Sequence, residues 1–165
     1  MAKLYKTHKP FYFSSLRDPV SLLISSWDYY GITRKLGLNL EKFAMRKVKP
    51  NRLRIFDIFL KNGLLYDFGI NPSDFGNETK IRSKIMELDK TFDLMLFVEN
   101  FSESMVLLKH SICWNYEDLA SLKLNSHDEK TKTIISENAR RKLKLWLKDS
   151  YLLYDYFKVN FINIS

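Results

Sequence analysis

The chain has 165 residues, 45% of them hydrophobic and 15% aromatic, which excludes a disordered polymer and fits one domain with a substantial core, residues 1–165. The longest apolar run is too short to cross a bilayer, and a single cysteine, Cys113, excludes an intramolecular disulfide and a Cys/His metal cluster. The net charge is +8, but residues 1–54 carry twelve Lys/Arg against three Asp/Glu, whereas residues 55–165 are close to balance, so any polyanionic partner is expected at the basic first third.

The N-terminus, Met1 to Lys6, has no apolar core and does not read as a secretory signal. Phe11 and Phe13 alternate with Tyr12 and Ser14, the pattern of a partly buried strand. Asp18 followed by Pro19 is a helix start, since Asp accepts from free N–H groups and Pro suits the first helical position. Arg17 is thereby placed at the carboxyl end of a strand beside a helix N-terminus, the edge where α/β sheets take phosphorylated ligands. Ser21 and Ser25 share the helix face that Asp18 begins. A guanidinium and a hydroxyl so spaced can clamp a phosphate, which makes Arg17 and Ser25 the candidate ligand residues.

The helix from Pro19 is expected to end near Gly31. Asn39 caps a short helix through Val48, with Leu40, Phe43 and Ala44 inward. Lys49-Pro50-Asn51 breaks it, and Arg52 to Lys61 reads as helix again. Asn62-Gly63 reads as a turn, and residues 71–77 as a polar loop. Ile81, Ile85 and Leu88 keep a 4-then-3 spacing, so Glu78 to Lys90 is an amphipathic helix.

Phe92 to Val98 is the candidate central strand, with Glu99 and Asn100 at its end where sites often form. Ser102 to Ile112 follows as a helix with Met105, Leu108 and Ile112 on one side. Cys113, beside Trp114, reads as a small buried residue. Asn125 to Thr133 is a charged loop, and Ser136 caps one long helix. Leu143, Trp146, Leu147 and Tyr154 give that helix an apolar stripe, and Arg140, Lys144 and Lys148 line another face. The alternation of strand, helices, strand and helix predicts a parallel α/β arrangement. His8, His110 and His127 receive no role. Asn77-Glu78-Thr79 and Asn163-Ile164-Ser165 fit the glycosylation sequon.

Arg17-Asp18-Pro19 with Ser25 eight residues after the Arg resembles the 3′-phosphate segment of sulfotransferases, which use 3′-phosphoadenosine 5′-phosphosulfate (PAPS). Further segments follow in order: Leu64 to Gly69, Phe92 to Glu99, Glu103 to Leu108, Cys113-Trp114 with Glu117-Asp118, Lys123 to Asn125, and Leu153 to Phe157. Together they resemble the galactose 3-O-sulfotransferase family from roughly Pro10 to Phe161. The resemblance implies an α/β, P-loop-like sulfotransferase domain, partial here, with a short parallel sheet flanked by helices. It implies PAPS as co-substrate with no metal, a galactose-terminated glycolipid or glycan as acceptor, and a Golgi location. That family carries an N-terminal membrane helix, which this sequence lacks.

The family's loop for the 5′-phosphosulfate is incomplete. Lys6-Thr7-His8-Lys9 resembles its opening, but Pro10-Phe11-Tyr12-Phe13 stands where small hydroxyl residues and glycine should follow, and Pro10 removes an N–H. Two readings of the tetrapeptide stand: a remnant of the loop in an N-terminally truncated domain, or a chance run in a basic segment. Three functional readings follow. One is a sulfotransferase acting on the galactose 3-hydroxyl. The second is an inactive sulfotransferase-like domain that at most binds nucleotide. The third is a basic nucleic-acid module, for which no readout motif is found.

Overall fold

A computed structural model describes residues 9–46, 57–115, 117 and 133–164. The expectations for Lys6 to His8, for Val48 to Phe56 and for Asp118 to Lys132, including His127, lie outside these residues.

Two strands form a parallel pair, β1 (Phe13–Leu16) and β2 (Leu94–Phe97), in register from Phe13 opposite Leu94 to Leu16 opposite Phe97. Asp93 sets the start of this pairing: its backbone N–H donates to the Tyr12 carbonyl at 2.8 Å, and its carboxylate accepts from Tyr12 N at 2.9 Å. β1 lies two residues later than the alternation at Phe11 suggests. Phe13 is exposed and Leu16 is the strand's buried anchor, because the register follows the pairing with β2.

The connection between the strands is helical, as parallel pairing requires. It comprises α1 (Pro19–Tyr29), α2 (Ile32–Leu36), α3 (Leu40–Met45), a π-type turn at Asp57–Lys61, α4 (Gly63–Asp67) and α5 (Glu78–Thr91). After β2 come α6 (Phe101–Ile112), α7 (Glu137–Trp146) and α8 (Lys148–Ile164). A short parallel sheet flanked by helices is therefore the architecture, in agreement with the α/β expectation.

Local chemistry accounts for most boundaries. Asp18 caps α1, its carboxylate accepting from Ser21 N at 2.8 Å; Asn39, Asn77 and Ser136 cap α3, α5 and α7 in the same way. Gly31 and Gly37 bracket α2 with left-handed backbone that a side chain would strain. Gly63 opens a helix where a turn was expected. The long helix from Ser136 is two helices meeting at Leu147, which is buried. Cys113 is exposed, not buried, and ends α6 in the left-handed conformation.

The core gathers on both sides of the strands. Trp27 is buried against Phe43, with ring centroids 5.0 Å apart, and its indole N–H donates to Thr33 Oγ1 at 2.8 Å. Phe43 meets Trp146 of α7 at 5.3 Å. Across the sheet, Phe97 packs edge-on against Tyr154 at 5.5 Å and beside Phe161 at 5.0 Å. Ser104 of α6 is buried and closes the end of β2: its hydroxyl accepts from Phe97 N at 2.8 Å and donates to Phe97 O at 3.1 Å. No helix of the described residues is long and apolar enough to cross a membrane.

Candidate functional site

Arg17 is the first residue beyond β1 and the second before α1. This is the strand-end, helix-start position expected of it. It is half-buried and forms no ion pair among the described residues. A cleft of about 690 Å³ opens beside it, walled by Ser14 and Ser15 of β1, Asp67 and Phe68 at the end of α4, and Phe92 and Val98 flanking β2. That volume suits a nucleotide-sized ligand. A partly desolvated guanidinium with no carboxylate partner keeps its donors available for an anion.

The residue after Arg17 is held from three directions. Asp18 N donates to the Glu99 carboxylate at 2.7 Å, which ties the turn to the end of β2. The Asp18 carboxylate accepts from Ser21 N and from the Tyr151 hydroxyl of α8, the latter at 2.7 Å. Burial pushes the Asp18 carboxyl up, but the Tyr151 and Ser21 hydrogen bonds, with Arg140 nearby, outweigh it and hold the group below its usual value. Burial and then the bond to Asp18 push the Tyr151 phenol well up. Tyr154 is pushed up to about 12 by burial and by the carboxylates of Glu99, Asp18 and Asp155. Both phenols therefore stay protonated at neutral pH and act as donors.

Glu99 and Asn100 sit at the strand end, as the sequence suggests, and both are used structurally. Glu99 holds the Asp18 N–H, and Asn100 accepts from the Lys158 ammonium of α8. Lys158 also stands 4.6 Å from the Phe97 ring centroid.

Ser25 is half-buried on α1 and is not among the residues that wall the Arg17 cleft. It belongs to the strip Asp18, Ser21, Ser25 and Asp28. α7 runs along that strip: Thr133, just before α7, donates its N–H to Asp28 at 3.0 Å, and Arg140 stands near Asp18 at the other end. Ser26, one position on, lines a second and more apolar cleft of about 460 Å³ with Tyr30, Lys35 and Phe59. The two clefts share Leu22, Leu64 and Asp67. Asp67 lies within the Leu64 to Gly69 segment, and its place at the junction of two clefts has no signature in the sequence. Tyr29 is exposed and His110 lies exposed on α6. Among the described residues no group of His, Cys, Asp and Glu gathers to hold a metal ion.

A parallel strand pair flanked by helices, with a cleft at its carboxyl edge beside a capped helix N-terminus, defines an α/β domain. The Galactose-3-O-sulfotransferase family model matches residues 2–163, and the chain belongs to that family. It is 30% identical to human galactose-3-O-sulfotransferase 2 over 152 residues, covering 89% of this chain and 38% of the relative. Human galactosylceramide sulfotransferase is 33% identical over 156 residues, covering 88% of this chain and 36% of the relative. The chain thus spans well under half the length of these relatives. No solved structure matches it significantly.

Proposed function

We propose that Arg17 holds the 3′-phosphate of PAPS, in a domain that serves sulfuryl transfer to the 3-hydroxyl of galactose on a glycolipid or glycan; Ser25, expected from the sequence as its second ligand, does not wall the Arg17 cleft and is left out of the clamp. The observation that carries the reading is Arg17 itself: half-buried, free of ion pairs among the described residues, and walling a nucleotide-sized cleft at the carboxyl end of a parallel strand. The guanidinium supplies a fork of donors and the basic first third supplies the attracting field. The acceptor sugar and a Golgi location enter with the family, as parts of the same proposal.

A second reading has its own support. Pro10 to Phe13, after Lys9, lack the small hydroxyl residues and glycine that cradle a 5′-phosphosulfate. On that reading the 3′ clamp works and the chemistry does not, because binding and bond cleavage depend on different contacts.

Calorimetry tests the clamp. The chain should bind adenosine 3′,5′-bisphosphate in preference to adenosine 5′-monophosphate. Arg17→Ala should remove that preference, a loss of about ten-fold or more for a charge-assisted contact of roughly 1.5–3 kcal/mol. Ser25→Ala should leave the preference unchanged, since Ser25 does not wall the Arg17 cleft. Equal binding of the two nucleotides by the wild-type chain refutes the assignment.

A further inference from the structure

We infer that Glu99 is a positioning residue for Arg17: its carboxylate fixes the peptide plane on which the arginine is mounted and does not itself meet the ligand. This rests on the reading that Arg17 holds a 3′-phosphate. The N–H of Asp18 belongs to the peptide that joins it to Arg17, and it donates to Glu99 Oε1 at 2.7 Å. Arg17 and Asp18 lie between β1 and α1, in neither element. No ladder or helical bond serves this N–H, and Glu99 supplies one instead. Glu99 is not among the residues that wall the Arg17 cleft, although its neighbour Val98 is.

Glu99 is itself held. Tyr151, Tyr154 and Lys158 share one face of α8, and each reaches one of the two turns that end the strands. Tyr151 bonds Asp18, Tyr154 bonds Glu99 and Lys158 bonds Asn100. A carboxylate bonded to the residue next to an anion-binding arginine opposes anion binding by charge alone. The two roles are therefore separable by sign. As a mere charge, Glu99 would weaken phosphate binding, and its removal would strengthen it, most at low salt. As the holder of the Arg17 peptide, its removal weakens phosphate binding at every ionic strength, and an uncharged acceptor in its place restores it.

The test is calorimetry on the full chain at low and high salt, with adenosine 3′,5′-bisphosphate and adenosine 5′-monophosphate. Glu99→Ala should lower the preference for the bisphosphate about three- to ten-fold, the range for one lost hydrogen bond, and equally at both salt concentrations. Glu99→Gln, which keeps a side-chain carbonyl for the Asp18 N–H, should recover most of the preference. Tyr154→Phe, which frees Glu99 on its α8 side, should lower it less than Glu99→Ala. Glu99 is exposed, so its variants should keep the core, and thermal melts check this. A preference unchanged or stronger in Glu99→Ala, or no better in Glu99→Gln than in Glu99→Ala, overturns the inference alone when the wild type keeps its Arg17-dependent 3′-phosphate preference. Where Glu99→Ala does not fold, an unchanged preference in Tyr154→Phe overturns it equally. A wild-type chain that binds the two nucleotides equally, or binds neither, overturns both readings.

Discussion

The Tyr151 hydroxyl donates to Asp18 Oδ2 at 2.7 Å across 133 residues of chain. This bond fastens the last helix to the turn that presents Arg17, and α1 depends on the same carboxylate for its cap. Tyr151→Phe should remove a hydrogen bond to a charged, partly buried group and cost roughly 1.5–3 kcal/mol. In urea unfolding the midpoint should fall with the slope unchanged. The melting temperature should drop by several degrees, at about 2–4 °C per kcal/mol for a domain of this size. An unchanged midpoint would show that Asp18 is satisfied without Tyr151.

Ser104 gives a second, independent test of what holds the sheet. Its buried hydroxyl serves both backbone groups of Phe97, so the strand edge there is completed by a side chain of α6. Ser104→Ala leaves a buried N–H and carbonyl without that partner and should destabilise the fold by about 1–3 kcal/mol. Ser104→Thr, which keeps the hydroxyl, should recover part of the loss. Equal stability of Ala and Thr variants would assign the effect to packing volume alone.

Acid stability follows from the same carboxylate. Asp18 binds its proton less readily in the folded chain than at its ordinary value of 3.8, because the Tyr151 and Ser21 bonds outweigh burial. Its contribution is therefore complete above about pH 4 and is lost as pH falls through the lowered folded value. Glu41, bonded by Ser136, and Asp93, bonded by Tyr12 N, are lowered as well and act in the same direction. Asp155 acts oppositely: burial raises it, so acid relieves a cost there. Denaturation measured from pH 7 down to pH 3 should show the wild type losing more stability than Asp18→Asn, the gap between them narrowing in acid. A gap independent of pH would contradict the assignment.

What could be read in the sequence was what neighbours in the chain decide. The Asp18-Pro19 cap is a three-residue matter, and the Ile81, Ile85, Leu88 spacing specifies α5 without reference to the rest of the fold. Short pieces escaped: α4 has five residues, less than two turns, so its apolar pattern has no period to detect. The junction at Leu147 escaped because the apolar stripe runs on through Leu143, Leu147 and Tyr151, whether or not the helix axis bends. Arg17 was legible because a strand end and a helix start flank it. Glu99 was legible as a strand-end residue, but its bond to Asp18 N, and the places of Tyr151 and Asp67, arise only when distant parts of the chain meet, a relation that no local spacing encodes.

The last prediction separates nucleotide binding from catalysis. The 165-residue chain should transfer little or no sulfuryl group from labelled PAPS to galactosylceramide or lactose. Transfer requires donors that stabilise the bridging oxygen as the S–O bond breaks, and preorganised N–H groups and a lysine are the usual source. After Lys9 the chain offers Pro10, which has no N–H, and then three residues of which two are Phe and one Tyr. The 3′ clamp at Arg17 lies on a different element and does not depend on those donors. Binding of adenosine 3′,5′-bisphosphate without turnover is thus the expected pair of results. Robust turnover by the purified chain would show that another group supplies the missing donors, and Lys6, His8 and Lys9 would be the first positions to substitute.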